Sequence, residues 1–323
     1  MIRKHPILGV LFAWIAIYAI FAYLKPNTFL AFDIVELMMR QSIIIGIGAL
    51  GMTYVIINAG IDLSAGSVLA LSSVSGALVY NQTGSPALVV LACLSTGLVF
   101  GCLNGVLVSR LKAGPFIVTL GSMLALRGLA KGFAHEKTVS IVDKFVQPDL
   151  LLFNLASGLP KSQKWQLFPL GAWVWIVFLV ILAVALNYTT FGRNVVAVGS
   201  NEAAAKLCGI PVNSVKVGVY SLAGFFFGLA GLMSFSRTTL GDPTSGAGDE
   251  LKMIAAVVIG GASLSGGEGS MVGTALGVLI MSTISIGCSQ MAIPNWIQEI
   301  LTGVIILTAV AIDRWRASKL AAA

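Results

Sequence analysis

Charged side chains are scarce in this sequence: of its 323 residues only 10% are Asp, Glu, Lys or Arg, whereas 57% are hydrophobic. Soluble globular domains carry about 25% charged and roughly 45–50% apolar residues, so the composition excludes a soluble globule. The formal net charge is +7, but no run of Lys or Arg is long enough to bind nucleic acid. The chain is therefore predicted to be a polytopic membrane protein that contacts lipid and no nucleic acid.

Residue patterns for catalysis and metal binding are also missing. The sequence has only two histidines, and it contains neither an HExxH nor a G-x-S-x-G motif. It has no G-x-x-x-x-G-K-[ST] loop for a nucleotide phosphate. None of its four cysteines is spaced as CxxC. We predict no catalytic residue, no metal site and no bound cofactor, so energy for transport must come from a gradient or a partner.

Long apolar runs dominate the sequence instead. A membrane-spanning helix needs about 17–25 apolar residues, and we place helices near 7–24, 41–57, 65–80, 86–108, 114–131, 170–186, 214–236, 251–260, 270–289 and 296–312. The segment 251–260 is short. At a rise of 1.5 Å per residue, it spans only about half of a hydrocarbon core. The prediction is an all-α membrane protein: one bundle of about ten transmembrane helices over residues 1–323, with broken or short helices at glycine-rich loops.

Two of these glycine-rich loops resemble each other. Gly60-Ile-Asp-Leu-Ser64 aligns with Gly261-Ala-Ser-Leu-Ser265, 201 residues later, and each separates two apolar segments. This pattern favours a weak duplication of a helix-break-helix unit, although two unrelated Gly/Ser loops would look the same. Paired breaks commonly flank a transport path. The candidate residues of the path or its loops are Asn58, Asp62, Ser64, Asn104, Ser263 and Ser265.

Asp62 is the most notable of these polar residues, since a carboxylate among apolar residues is costly unless it is partnered or hydrated. It could bind a polar substrate, or it could accept the backbone N–H groups of Ser64 or Ala65 as a cap. The cap is the simpler interpretation. Arg127 and Glu299 could likewise line a path. Alternatively, because each lies near a helix end, its charged group could extend to the membrane surface while its apolar part stays in the membrane.

Glycines four residues apart occur in three of the apolar segments. Such spacing makes a flat helix face on which another backbone can lie, so these residues are predicted to pack helices tightly. They are Gly97, Gly101 and Gly105, then Gly224 and Gly228, then Gly273 and Gly277.

The distribution of Lys and Arg favours cytoplasmic termini. Ten basic residues fall on the inner side in this arrangement, against six outside once the long loop 132–169 is discounted. That loop is then extracytoplasmic, and the segment 187–213 is cytoplasmic. Within this segment lies a polar stretch, Val198 to Val212, whose short amphipathic helix is capped by Ser200 or Asn201 and ended by Gly209 and Pro211. A helix held outside the bilayer in this way offers a binding surface to another protein.

Four motifs in order carry a family resemblance. They are Gly51-Met-Thr-Tyr-Val-Ile-Ile-Asn-Ala-Gly-Ile-Asp-Leu-Ser-Ala-Gly-Ser67, Pro115-Phe-Ile-Val-Thr-Leu-Gly121 with Arg127-Gly128, Gly192-Arg-Asn-Val-Val-Ala-Val-Gly-Ser-Asn-Glu-Ala-Ala203, and Ile254-Ala-Ala-Val-Val-Ile-Gly-Gly-Ala-Ser-Leu-Ser-Gly-Gly-Glu-Gly-Ser270. With these the chain resembles the ribose-type permeases of bacterial ABC sugar importers. That group includes permeases for ribose, xylose, arabinose, galactosides, some polyols and autoinducer-2.

The resemblance implies a permease of the bacterial cytoplasmic (inner) membrane that works with three kinds of partner. These are cytoplasmic ATPase subunits, which bind ATP-Mg, an extracytoplasmic sugar-binding protein, and a second permease copy or a related permease. It also implies that the polar stretch is an EAA-type coupling helix, with Gly199, Asn201, Glu202, Ala203, Ala204 and Gly209 as its residues. Four residues separate Ala204 from Gly209, where the widespread version has three.

Two alternatives stay open at this point. A gradient-driven secondary transporter would also have broken helices and acids within the membrane, although Asp62 lacks an obvious second member of an ion relay. The chain could also be one half of a heteromeric permease. The sequence leaves the transported molecule undetermined.

Overall fold

The computed structural model describes residues 6–111, 113–141, 151–156 and 167–321. These residues form fourteen helices and one short two-stranded ladder. In chain order the elements are α1 (Pro6–Leu24), α2 (Pro26–Phe29), α3 (Phe32–Ile57), α4 (Ala65–Thr83), α5 (Pro86–Arg110), α6 (Pro115–Phe133), β1 (Val139–Ser140), α7 (Leu151–Asn154), α8 (Leu170–Tyr188), α9 (Thr190–Ser200), α10 (Glu202–Leu207), α11 (Val212–Thr238), β2 (Leu240–Gly241), α12 (Asp249–Ile259), α13 (Met271–Gln290) and α14 (Asn295–Ala321).

The predicted all-α membrane architecture is confirmed. Each of the ten predicted segments overlaps one helix. Among the described residues, seven helices are long and apolar enough to cross a membrane: α1, α3, α5, α6, α8, α11 and α13. The short segment near 251–260 is α12, a helix of 11 residues. The number of about ten is therefore approximate, because α4 is rich in small polar residues and α12 is too short to cross alone.

Some helices differ from the sequence prediction in extent or were not predicted. Helix α3 begins at Phe32 instead of near residue 41, because its first turns carry Asp33, Glu36 and Arg40, which an apolar count leaves out. Helix α9 was not predicted, and the chain between α8 and α11 forms two helices instead of one. A search for long apolar runs does not detect polar first turns or short helices.

Helix α11 lies at the centre of the bundle, packed against α3, α4 and α5. Its large aromatic side chains Phe226, Phe227 and Phe235 are buried. Helix α1 lies at the periphery and contacts α13, where Trp14 Nε1 donates to Thr283 Oγ1 over 3.1 Å. The core is therefore built around the helix that follows the polar stretch in the chain.

Glycine faces bring α5 and α11 into backbone contact. A Cβ atom added to Gly97 would lie 2.7 Å from Gly228 Cα, and one added to Gly224 would lie 2.6 Å from Gly101 Cα. Gly105 faces Val217 Cα in the same manner. Real Cβ contacts are never this short, so only glycine fits along this seam, and α5 and α11 behave as one rigid pair.

A second close packing joins α12 to α13. Added Cβ atoms on Gly273 and Gly277 would overlap the carbonyl oxygens of Gly260 and Ala256. The C-terminal end of the short helix α12 is thereby held against the full-length helix α13. Outside the helices, β1 pairs antiparallel with β2, Val139 opposite Gly241, and ties the beginning of the 132–169 loop to the end of α11. Parts of that loop, 142–150 and 157–166, lie outside the described residues, as do Arg3, Lys4 and Lys112.

Candidate coupling helix and polar path

The residues from Thr190 to Leu207, which include most of the polar stretch, fold as two capped helices, α9 and α10. Thr189 caps α9 by accepting from the Gly192 N–H at 3.2 Å, and Asn201 caps α10 by accepting from the Ala204 N–H at 2.9 Å. Asparagine and threonine are favoured at this position because their oxygen satisfies an N–H of the first turn. Gly209 follows α10 with a φ of +80°, a conformation that glycine adopts without strain. Asn201 and Gly209 thus have the capping and ending roles that the sequence predicts for them.

Helix α10 is exposed on nearly its whole surface. Asn201, Glu202, Ala203 and Ala204 face outward, Leu207 is 90% exposed, and Ala205 is buried. Gly209 is exposed as well, whereas Gly199 is buried inside the protein. The predicted coupling residues therefore divide into an exposed group on α10 and one buried residue on α9.

An ion pair fixes α10 to the first turns of α11. Lys216 Nζ lies 2.8 Å from Glu202 Oε2, and the two side chains are 17% and 57% exposed. The pair borders a cavity of about 300 Å³ between α10 and the connection from α5 to α6. The residues lining this cavity are Val108, Ser109, Ala113, Gly114, Pro115, Glu202 and Lys216. Sequence analysis did not link Lys216 with Glu202, because only the fold brings the two together.

Three of the predicted path residues lie together in one hydrogen-bonded chain. Asp62 Oδ1 accepts from the Ser64 N–H at 2.8 Å and from Ser64 Oγ at 2.6 Å. Asn104 Nδ2 donates to Ser64 Oγ over 2.8 Å, and Ser122 Oγ donates to Asn104 Oδ1 over 2.5 Å. We call Asp62, Ser64, Asn104 and Ser122 the polar chain. It links the loop before α4 to α5 and α6, and it is buried except at Ser122.

Ser122 is the member of the polar chain that sequence reasoning missed. The signal was its place next to Gly121 in the second of the four motifs, but nothing local showed that it faces Asn104. The neighbouring Thr119 lies close to the same loop, since its Oγ1 is 3.1 Å from the Ile61 carbonyl oxygen and 2.9 Å from that of Pro115 in its own helix. Helix α6 therefore contacts the loop before α4 at Thr119, whereas Ser122 reaches Ser64 only through Asn104 of α5.

The other predicted path residues lie elsewhere. Asn58 Nδ2 donates to the Val195 carbonyl of α9 over 3.2 Å. Ser263 and Ser265 lie in the loop between α12 and α13, where the Ser265 N–H donates to Ser263 Oγ over 3.2 Å. The structure thus separates the six residues into the polar chain, a contact to α9 and a local turn.

Comparison with known proteins decides the family. The family model described as branched-chain amino acid transport system / permease component matches residues 34–310. The chain belongs to this family. The ribose import permease protein of Escherichia coli (strain K12) is 37% identical over 94% of this chain and 92% of its own length. The corresponding protein of Bacillus subtilis (strain 168) is 39% identical over 97% and 93%.

A related permease carries a different sugar in its name. The fructose import permease protein of Rhizobium meliloti is 37% identical over 91% of this chain and 81% of its own length. No solved structure matches the chain. The resemblance inferred from the four motifs is confirmed at the level of the family.

Arg127 of this permease holds a segment between α11 and α12. Its Nη1 donates to the carbonyls of Pro243 and Ser245 over 3.0 and 2.7 Å. Within the same segment Gly246 lies against Gly66, whose added Cβ would overlap the Gly246 carbonyl oxygen and Glu250 Oε2. Arg127 therefore joins α6 to the segment that leads into α12.

Metal binding finds no support in the described part of this permease. There, no three His, Cys, Asp or Glu side chains lie close enough together to hold a metal ion. The absence of a bound cofactor remains a prediction from the sequence.

Proposed function

We propose that this permease is the transmembrane subunit of an ATP-driven, binding-protein-dependent importer for a sugar or sugar-like small molecule. The observation that carries the proposal is the similarity to ribose import permeases over more than nine-tenths of the chain. A fructose and an arabinose permease are related over similar lengths. The permease then lies in the bacterial cytoplasmic membrane, and both of its termini face the cytoplasm.

The partners follow from what the chain has and what it lacks. Its sequence contains no phosphate-binding loop, so ATP-Mg is bound by separate ATPase subunits. We place the docking surface for those subunits on α10, because it is the helix that matches the coupling motif and nearly all of its residues are exposed. On the opposite face of the membrane an extracytoplasmic sugar-binding protein delivers the solute. A second copy of the permease completes the passage.

The polar chain is the proposed contact for the solute within this subunit. Hydroxyl and amide side chains can both donate and accept, which suits a molecule with many hydroxyl groups. Ser122 is the partly exposed end of that chain, so it is the member that a passing solute reaches first. The buried members hold Ser122 and α6 in position.

Reconstitution tests this function directly. The permease is placed in proteoliposomes with the ATPase and the binding protein encoded beside it, and uptake of radiolabelled ribose, fructose and arabinose is measured with ATP or ADP inside. We expect uptake of one of these sugars that needs ATP and the binding protein and that persists with ionophore. Uptake that collapses with ionophore but survives ATP depletion would instead support the gradient-driven transporter. A requirement for a second, different permease chain would identify the heteromeric alternative.

Charge reversal at Glu202 tests how α10 is held. In the variant Glu202→Lys, the introduced lysine and Lys216 are both positively charged and repel each other. Helix α10 should therefore tilt away from α11. We expect uptake to fall severalfold while the amount of folded permease is unchanged, because exposed ion pairs contribute only about 0–1 kcal/mol to stability. The exchange Glu202→Lys with Lys216→Glu restores the attraction and should restore most of the uptake. If the exchanged variant transports as poorly as Glu202→Lys alone, Glu202 acts on a partner and not on Lys216.

A further inference from the structure

The two glycine-rich loops that resemble each other in sequence meet in the fold. The Gly267 N–H, in the loop after α12, donates to the carbonyl of Ile57, the last residue of α3, over 2.8 Å. The loop that begins at Asn58 therefore starts from a residue that is hydrogen-bonded to the other loop. Both loops lie at the end of the bundle where α9 runs into α10.

Gly199 lies at the meeting point. A Cβ added to it would overlap the Ile57 carbonyl oxygen and would lie 2.9 Å from Gly267 N. From the other side, a Cβ on Gly266 would lie 2.6 Å from the Gly199 carbonyl oxygen. These neighbours are backbone atoms, which cannot rotate aside as a side chain would. The ends of α3 and α9 and the loop after α12 thus touch backbone to backbone at one residue.

The geometry around this contact is tightly determined. Ala59 has a φ of +58°, and Gly266 and Gly267 have φ values of +84° and +80°. A residue such as alanine holds this left-handed conformation only where its surroundings impose it. Asn58 adds a second tie, because its Nδ2 donates to the Val195 carbonyl in the middle of α9. Helix α9 therefore cannot shift without moving the first residues of the loop that leads to Asp62.

The contact also lies between the two parts of the candidate site. Gly199 is two residues before Asn201, the cap of α10, so a displacement of α10 reaches it through only two residues of backbone. On the other side, the loop from Asn58 carries Asp62 and Ser64 of the polar chain. Packed interiors respond to such a displacement by switching between discrete arrangements and not by bending gradually.

We propose that Gly199 is the joint through which movement of the coupling helix α10 enters both glycine-rich loops, and that it thereby positions the polar chain during transport. This inference rests on the proposed function of the permease. Gly199 contacts neither the ATPase nor the solute in this arrangement. It is a positioning residue, and its requirement for glycine comes from the close approach of three backbones.

The variant Gly199→Ala tests the joint in the complete importer. Solute uptake and ATP hydrolysis are measured in the same proteoliposomes, and the result is expressed as solute imported per ATP hydrolysed. We expect this ratio to fall by roughly tenfold, within the range that substitutions along a coupling route reach. ATP hydrolysis stimulated by the binding protein should persist. A merely structural defect would lower both rates together and leave the ratio unchanged.

Gly218→Ala on α11 is the matched control. Its added Cβ would lie 3.1 Å from the ring of Phe191, a side chain that can move, so its ratio should equal that of the wild type. Should Gly199→Ala yield no folded permease, Asn58→Ala decides the question, because it removes the tie to Val195 without adding volume. We expect a smaller fall in the ratio for Asn58→Ala.

Two results separate failure of the joint from failure of the function. A wild-type ratio in Asn58→Ala, or in folded Gly199→Ala, would overturn the joint while leaving the importer intact. If the wild-type assembly itself imports solute without hydrolysing ATP, the proposed function is wrong and the joint has no movement to transmit.

Discussion

Gly224→Val is expected to abolish recovery of the folded permease. Valine adds three heavy atoms where the Cβ alone would already lie 2.6 Å from Gly101 Cα and would overlap the Gly97 carbonyl oxygen. Extra methyl groups in a packed core cost about 1–3 kcal/mol even where side chains can yield. Here the obstacle is backbone, so α5 and α11 must move apart along the seam at the centre of the bundle. The cost should lie at or above the upper end of that range.

The measurement is the fraction of monodisperse permease on size-exclusion chromatography in mild detergent, together with its thermal midpoint. Gly9→Val is the matched control, because Gly9 is an exposed glycine on α1 with open space around its position. The control should behave as the wild type does. Recovery of Gly224→Val with an unchanged midpoint would mean that α5 and α11 are not held by this glycine seam.

The glycine seam also illustrates what sequence can predict in a membrane protein. A spacing of four residues, as between Gly97 and Gly101 or between Gly224 and Gly228, marks a flat helix face, because the 3.6-residue period fixes the direction of each residue along a helix. The positions of the spans followed in the same way from the thickness of the hydrocarbon core. Which flat face meets which is a tertiary property, and the pairing of α5 with α11 came only from the fold.

The candidate site was predicted in parts and not as an arrangement. Asp62, Ser64 and Asn104 were selected one by one as polar groups among apolar residues, and the fold joins them through side-chain hydrogen bonds. Lys216 and Ser122 could not be selected, since each has a meaning only through a partner distant in the chain. The sequence identifies a residue that is costly to bury. The group that compensates for this cost is recognised only from the three-dimensional structure.

The largest functional contrast is expected between Asp62→Ala and Asp62→Asn. Asp62 is 1% exposed, and its Oδ1 accepts both the backbone N–H and the hydroxyl of Ser64. Alanine leaves both donors buried without an acceptor, at about 1–3 kcal/mol each, and frees the start of α4. We expect Asp62→Ala to lose thermal stability and most of its ATP-driven uptake.

Asparagine keeps an oxygen that can accept from both the N–H and the hydroxyl of Ser64, since an amide oxygen can accept two hydrogen bonds. The other carboxylate oxygen of Asp62 has no hydrogen-bond partner among the described residues. Replacing it by the amide nitrogen breaks no described contact, and removing the buried carboxylate charge offsets the cost of the unpaired amide N–H groups. Asp62→Asn should therefore keep a thermal midpoint close to that of the wild type and transport at a similar rate. Thermal melting and sugar uptake are measured on both variants in parallel. A folded Asp62→Asn permease that hydrolyses ATP but imports no sugar would show that transport uses the carboxylate itself, and that holding the turn before α4 through Ser64 is not the main role of Asp62.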